Sequence, residues 1–454
     1  MHTFIDQHLL NKYNSNAPRY TSYPTALAFE PGFTHADFIQ AAHNSSQQYL
    51  SLYVHIPFCH SLCYYCGCNK IVTRQQDKAD IYLNYLENEM LLKARLFQHK
   101  KVRQIHLGGG TPNFLNTTQI TRLMTILRNH FTVLQDAEVS IEIDPRSINP
   151  SYLDHLKQLG FNRVSFGVQD TNPKVQEAIN RLQDTRFVAS LVTRAKQLGF
   201  KSVNLDLIYG LPWQDQQTFA TTLADVLAMQ PERISLFSYA HLPERFAAQR
   251  KIHQHWLPSA HLKSLLMLNA MSTLTEHGYD MIGMDHFALR SDELAQAQRA
   301  GTLQRNFQGY TVLQNSDVLG LGVSSISTIG NTFSQNFKDL NAYYASLDNT
   351  GDALEKGITL SQDDLIRGQV IKELMCNGRV FKQAIAEQFD IDFNQYFAGS
   401  LCQLTPFIAD GLLNHDAGFI ELQAKGRLLV RHIAMCFDAY ASDAAQRNRY
   451  SKVI

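Results

Sequence analysis

Between about residues 50 and 285 the chain alternates between strand-like and helix-like patterning. The strand-like runs are Leu52–Ile56, Gln104–Leu107, Val139–Ile143, Val164–Val168, Val203–Leu207 and Ile234–Ser238. Helical periodicity follows each of them, at 79–98, 118–131, 150–159, 173–198, 216–229 and 260–277. Six βα units in succession predict an α/β fold with a parallel sheet, closed as a barrel or open.

Within a strand, alternate residues fall on opposite faces. Val139, Ile141 and Ile143 oppose Ser140, Glu142 and Asp144; Val164, Phe166 and Val168 oppose Ser165, Gly167 and Gln169; Val203, Leu205 and Leu207 oppose Asn204 and Asp206. Parallel strands are usually apolar on both faces. Here one face repeatedly turns polar towards the strand ends. A barrel lumen holding a polar ligand accounts for that, because barrel sites collect at the C-terminal ends of strands. An edge-exposed or irregular sheet is the alternative.

Two regions flank this core, and the expected division is an arm at 1–47, a catalytic barrel with its extension at 48–348, and a mostly helical domain at 349–454. The arm contains Ala17-Pro18-Arg19-Tyr20-Thr21-Ser22-Tyr23-Pro24-Thr25, a turn-rich aromatic segment that reads as ordered but not helical. In the last hundred residues the βα rhythm is lost. Ser361 and Asp364 form a helix N-cap pair, with the helix running to about Cys376. Further helices are expected at 380–389, 393–409 and 424–441, with a hairpin around Asp416-Ala417-Gly418, which suits a helical or winged-helix-like domain.

Composition narrows the function. Of 454 residues 44% are hydrophobic and 18% charged, enough for a large core and two or three domains. Lysine plus arginine equals aspartate plus glutamate at 41 each, so there is no global footprint for nucleic acid or an anionic membrane. A local basic pocket remains open. The N-terminal sequence has no basic segment followed by an apolar one, and no stretch reaches the roughly 18 apolar residues of a membrane span. A cytoplasmic protein is expected.

Four of the seven cysteines lie within ten residues, Cys59, Cys63, Cys66 and Cys68, directly after the first strand. In a reducing compartment such a cluster reads as a metal or catalytic site before disulfides. Cys376, Cys402 and Cys436 are scattered and read as small core residues. Three thiolates spaced C-x3-C-x2-C can hold three irons of a four-iron cubane and leave the fourth open to another ligand, whereas electron-transfer clusters mostly close the site with four cysteines. A zinc site completed by His60 or Cys68 is the competitor, although no second C-x-x-C exists to build it.

C-x3-C-x2-C is the signature of the radical S-adenosylmethionine (SAM) superfamily. The wider segment Tyr53-Val54-His55-Ile56-Pro57-Phe58-Cys59…Cys63-Tyr64-Tyr65-Cys66-Gly67-Cys68-Asn69 resembles the oxygen-independent coproporphyrinogen III oxidases. Gly108-Gly109-Gly110-Thr111-Pro112, Glu142-Ile143-Asp144-Pro145, Ser165–Asp170, Asp206–Pro212 and Ile282–Ala288 extend the likeness over nearly the whole chain. The resemblance implies a partial (β/α)6 TIM-like barrel. It implies a [4Fe-4S] cluster on Cys59, Cys63 and Cys66, and SAM cleaved to a 5′-deoxyadenosyl radical. Hydrogen abstraction from two propionates of coproporphyrinogen III would then release carbon dioxide and give protoporphyrinogen IX, in haem and porphyrin biosynthesis.

The same resemblance implies two bound SAM molecules. Tyr53, Gly109, Glu142 and Ile326 match positions around the first. Tyr65, Gly110, Thr111, Gln169, Arg181, Asp206 and Ala240 match positions around the second. Taken alone, the glycine turn at 108–110 reads as structural and Arg181 as a solvated helix residue. Cys68 matches a fourth family cysteine implicated in activity; its other reading is a buried thiol packing the loop. Tyr65 departs from the family, where many members have phenylalanine. The implied partners are coproporphyrinogen III and a one-electron donor such as flavodoxin or ferredoxin, with no nucleic acid, no membrane and a monomeric state. Arg19, Lys70, Arg74 and Arg305 are candidates to meet the substrate's propionates, Arg19 from an arm folded over the mouth. The nearest alternative is a haem-binding chaperone of the same superfamily, whose members generally lack the arm and the fourth cysteine.

Overall fold

The structure, a computed structural model, describes residues 15–442 together with 9, 12 and 13. The N-terminal stretch examined for a secretory signal therefore lies mostly outside the described residues. Six parallel strands form the centre: β1 (Tyr49–Ile56), β2 (Lys101–Gly109), β3 (Thr132–Ile143), β4 (Arg163–Gln169), β5 (Ser202–Tyr209) and β6 (Arg233–Ser238). The helices that return the chain are α1 (Asp77–Ala94), α2 (Thr117–His130), α3 (Ser151–Gln158), α4 (Thr185–Gln197), α5 (Gln216–Met229) and α6 (Ala260–Glu276).

The local reasons are visible in α2. Asn116 and Gln119 make a reciprocal capping box at its start. Ile120, Leu123, Met124 and Leu127 then recur at helical spacing and are fully buried against the sheet. In β5, Val203, Leu205 and Leu207 are fully buried, while Asn204 and Asp206 point to the lumen. Each strand thus turns its apolar side to the helices and its polar side inward.

The sheet is wider than six strands. β7 (Tyr279–Gly283) and β8 (His286–Leu289) extend it beyond β6; β9 (Ser316–Leu321), β10 (Ile326–Ile329), β11 (Thr332–Asn336) and β12 (Leu354–Thr359) extend it beyond β1. The strand order is β12-β11-β10-β9-β1-β2-β3-β4-β5-β6-β8-β7. β9 runs parallel to β1 and the outer strands run antiparallel. The boundary read at 348/349 falls inside the helix Leu340–Thr350, and β12 beyond it still belongs to the sheet.

Three expected helices are interrupted. The pattern at 173–198 is two helices, Pro173–Ala178 and Thr185–Gln197, separated by a turn in which Asn180 has φ +53° and Asp184 caps the second. The pattern at 393–409 is three short helices, broken at Phe397 and at Leu404, which precedes Pro406. The span 424–441 contains the helix Val430–Met435 between two 3-10 turns. The helix α7 (Gln362–Asn377) begins with the expected Ser361/Asp364 capping box. The hairpin around residue 417 joins Leu413–His415 to Phe419–Leu422, and Arg379–Phe381 adds a third strand.

The arm segment 17–25 contains no helix and is held from two sides. Arg431 donates to the carbonyls of Ala17 and Pro18, and the Tyr20 hydroxyl donates to Asp438 at 2.9 Å. On the barrel side Arg19 pairs with Asp285, and Arg305 donates to the Arg19 carbonyl at 2.7 Å.

Candidate functional site

The polar faces enclose a cavity of about 450 Å³ that runs along the lumen. At the C-terminal ends of the strands it is closed by the cysteine loop that follows β1. Gly109 and Gly110 let the β2 loop pass against this segment. Gly109 has φ +116°, and a Cβ there would come within 2.6 Å of the His55 ring; a Cβ on Gly110 would meet the Pro57 carbonyl carbon at 2.7 Å.

Cys59, Cys63, Cys66 and Cys68 all line the cavity. Hydrogen-bond donors are aimed at three of the sulfurs. The Thr111 hydroxyl lies 3.3 Å from Cys59 Sγ, Arg146 Nη2 and Arg181 Nη1 each lie 3.4 Å from Cys63 Sγ, and the Cys68 N–H lies 3.4 Å from Cys66 Sγ. Donors around sulfur suit thiolates that bind a cluster. Among the described residues no three His, Cys, Asp or Glu side chains gather closely enough to hold one ion.

Around the loop, charges are arranged in layers. Burial raises the Asp144 carboxyl, but Arg181 at 3.2 Å and Arg146 at 2.6 Å outweigh it and hold it down at about 2. Burial likewise opposes ionisation of Glu142, and the hydrogen bond and charge of His106, with the Gly109 N–H at 3.3 Å, keep it below the ordinary range. Asp206 has only neutral partners, the Ser165 hydroxyl at 3.0 Å and the Asn204 amide at 2.8 Å. Burial, with Glu142 as a second cause, pushes it up to about 6.

Of the residues singled out in the sequence, Tyr65, Gly109, Gly110, Thr111, Glu142, Gln169, Arg181 and Asp206 line the cavity with the four cysteines. Gln169 ends β4 at φ +67° and its buried Oε1 has no partner. Arg181 is buried in the turn before α4, contacting Cys63, Asp144 and the Gly167 carbonyl; it is not a solvated helix residue. Three others stand behind the wall. Tyr53 stacks on His106 with centroids 5.9 Å apart and meets His55 Nδ1 at 3.1 Å. Ala240 is tied to Tyr65 through Gln249, whose amide donates to both carbonyls. Ile326 lies on β10, its backbone against Gly320, which pairs with Tyr53. Lys70 lines the cavity, whereas Arg74 is exposed outside it.

Sequence reasoning passed over several lining residues. His106 shares the polar face of β2 with Gln104, so parity alone marks it. Arg146, two residues after Asp144, stands just outside the lining and supports it through Asp144 and Cys63. His286 belongs to a motif already quoted; its ring lies edge-on to Phe237 and Tyr310, its Nδ1 is buried without a partner, and burial with Arg305, Arg19 and Arg233 pushes its pKa down to about 3. Gln308 and Tyr310 come from the hairpin Gln304–Asn306/Gly309–Thr311, which carries no βα signal.

Comparison with known proteins agrees with this geometry. Residues 53–226 match the model of the radical SAM superfamily and residues 360–429 that of the HemN C-terminal domain. The chain is 54% identical to the oxygen-independent coproporphyrinogen III oxidase of Salmonella typhimurium, covering 99% of this chain and 98% of that one. It is 47% identical to that of Pseudomonas aeruginosa, again over 99% and 98%. Coproporphyrinogen III oxidase (HemN) from Escherichia coli, a radical SAM enzyme of solved structure, superposes with a TM-score of 0.93 at 51% identity, covering 97% of this chain and all of that one.

Proposed function

Because the chain belongs to the oxygen-independent coproporphyrinogen III oxidases of the radical SAM superfamily, we propose that it oxidatively decarboxylates two propionates of coproporphyrinogen III to vinyl groups, giving protoporphyrinogen IX. The observation that carries this reading is one cavity that gathers Cys59, Cys63 and Cys66 with the glycine turn and with Glu142 and Asp206. When bound, a [4Fe-4S] cluster supplies the electron that cleaves SAM to the radical acting on the substrate.

The protein's own residues position and protect. Gly109 and Gly110 allow backbone to approach the methionine end of a SAM. Glu142, kept ionised, offers a counter-charge to its ammonium. Asp206 accepts hydrogen bonds from ribose hydroxyls. The reading keeps two SAM sites, with Tyr53, Gly109, Glu142 and Ile326 around the first and Tyr65, Gly110, Thr111, Gln169, Arg181, Asp206 and Ala240 around the second; Gly110 and Thr111 directly follow the strand that ends at Gly109, so the two sets adjoin there. Cys68 opens onto the cavity beside Cys66, where it can reach a bound ligand. In this reading Arg19, over the Phe237 ring at 6.0 Å and paired with Asp285, meets a propionate of the substrate. The reading includes a one-electron donor such as flavodoxin or ferredoxin and a monomer acting in the cytoplasm.

Anaerobic incubation of reconstituted protein with reductant, SAM and coproporphyrinogen III tests it. Vinyl product with 5′-deoxyadenosine is expected. If 5′-deoxyadenosine forms without vinyl product, the substrate assignment is wrong; stable haem binding without turnover would point to the chaperone alternative.

A further inference from the structure

Two side chains of the lumen wall are fixed by packing and yet leave buried polar atoms open. His286 begins β8, and its ring lies edge-on to Phe237 at 5.8 Å and to Tyr310 at 5.4 Å. Its Nδ1 is buried without a hydrogen-bond partner among the described residues. Gln308 sits in the turn of the hairpin Gln304–Asn306/Gly309–Thr311. That turn is anchored: the Gln308 N–H donates to Asn306 Oδ1 at 2.8 Å, and the Phe307 ring packs edge-on against Phe29 and Phe333. Both side-chain amide atoms of Gln308 are nevertheless buried and open. His286 and Gln308 both line the cavity. Buried polar atoms are normally paired, so open ones on a cavity wall mark where a ligand pairs them.

Their charge state says what that ligand offers. Burial first, and then the charges of Arg305, Arg19 and Arg233, push the His286 pKa down to about 3. The ring is therefore neutral, and a neutral imidazole carries one acceptor nitrogen. The Gln308 amide is neutral as well, with an acceptor in Oε1. Cations stand behind these acceptors, Arg305 over the Tyr310 ring at 5.0 Å and Arg19 over the Phe237 ring at 6.0 Å. Guanidiniums select carboxylates; neutral acceptors select an uncharged donor.

We propose that His286 Nδ1 and Gln308 Oε1 accept hydrogen bonds from pyrrole N–H groups of coproporphyrinogen III, so that these two residues distinguish the reduced macrocycle from the oxidised porphyrin. The proposal rests on the substrate reading above. Saturated methylene bridges leave each pyrrole of a porphyrinogen free to turn its N–H out of the ring towards a wall. In the corresponding porphyrin the ring is flat and conjugated, and the N–H groups that remain point to its centre. The propionates are the same in both, so the guanidiniums cannot tell the two apart. A site built to bond an N–H rejects a ligand without one, because its own buried atoms stay unpaired. Gln308 Nε2 is left to donate to a propionate oxygen.

The test uses the reconstituted holoenzyme under anaerobic conditions. Binding of coproporphyrinogen III and of coproporphyrin III is measured by equilibrium dialysis, the porphyrinogen being oxidised after separation so that both are read by porphyrin fluorescence. The parent should bind the porphyrinogen at least about tenfold more tightly than the porphyrin. His286→Leu and Gln308→Leu should each weaken porphyrinogen binding about tenfold, as loss of one hydrogen bond would, and leave porphyrin binding unchanged. His286→Asn, which returns an amide atom to the place of Nδ1, should recover most of the loss. SAM binding, measured in the same way, should be unchanged in all three. A merely structural role would weaken both macrocycles together. The proposal is overturned by that result, by a parent that does not discriminate, or by leucine variants that keep the parent's ratio. It is equally overturned if SAM is the ligand that weakens, or if His286→Asn binds no better than His286→Leu. A parent that binds neither macrocycle overturns the substrate reading itself, and the proposal with it.

Discussion

At the N-terminal ends of the strands Glu138, Arg163 and Arg233 face the same cavity as Glu142, Gln169 and Asp206 at the C-terminal ends. The two ends use the same strands and the same alternation, yet they treat polarity differently. At the lower end the charges are matched within the protein. Arg163 meets Glu138 at 2.9 Å and Glu293 at 2.5 Å; Arg233 meets Asp292 and Glu293 at 2.9 Å. At the upper end Asp206 has no cation, and Gln169 Oε1, His286 Nδ1 and both amide atoms of Gln308 are buried without partners. Buried polar groups are normally satisfied, so a concentration of unsatisfied ones identifies the end built for a ligand. Polarity in the lumen is common to both ends; the lower end pairs its charges and leaves Gln104 Oε1 open, while the upper end leaves a buried carboxylate without a cation.

The sharpest break between the ends is expected at the cysteine loop. Cys63→Ala should abolish 5′-deoxyadenosine formation and lower the iron and sulfide content of the reconstituted protein, while the circular dichroism of the apo-protein is unchanged. Next, Asp206→Asn should lower turnover about a hundredfold through lost ligand positioning. The same substitution should raise the unfolding midpoint of the apo-protein. The sign follows from the raised carboxyl of Asp206: the folded state penalises its ionised form, so the cost is complete above about pH 6 and absent below about pH 4, the ordinary aspartate range. The gain in midpoint should be present at pH 7.5 and vanish at pH 4. Arg19→Ala should raise the KM for coproporphyrinogen III about tenfold, as loss of one charge-assisted hydrogen bond would, with SAM cleavage intact; an unchanged KM removes Arg19 from the substrate site. Smallest in activity is Arg233→Met at the lower end. It should cost about 3 kcal/mol of stability by stranding Asp292, read by denaturant unfolding, with turnover per folded molecule unchanged.

This contrast also explains what could be read in advance. The six βα units and the lumen face were legible because period-two and helical patterns report burial directly. The cysteine loop was legible through its spacing, and the residue split through resemblance. The outer strands β7–β12 were not read; the antiparallel ones, such as Ile326–Ile329, carry too few alternations to stand out, and the parallel β9 is followed by no crossover helix to mark it as a βα unit. The break in the helical pattern at 173–198 was invisible because apolar spacing resumes at Val188, Leu191 and Val192 after the turn. Parity placed Ser140 and Glu142 on one face correctly, but could not say that Glu138, on that face too, would be neutralised by Arg163. Pairing across strands is a tertiary fact.

A ribosome delivers the arm first and its clasps last. The carbonyl of Pro18 accepts from a guanidinium 413 residues downstream, and Tyr20 awaits Asp438 across 418. Contacts of such separation close late. The barrel strands and the cysteine loop are synthesised before them, so the arm cannot be clasped until the C-terminal segment has emerged. Fastening of the arm therefore requires the C-terminal segment to be in place.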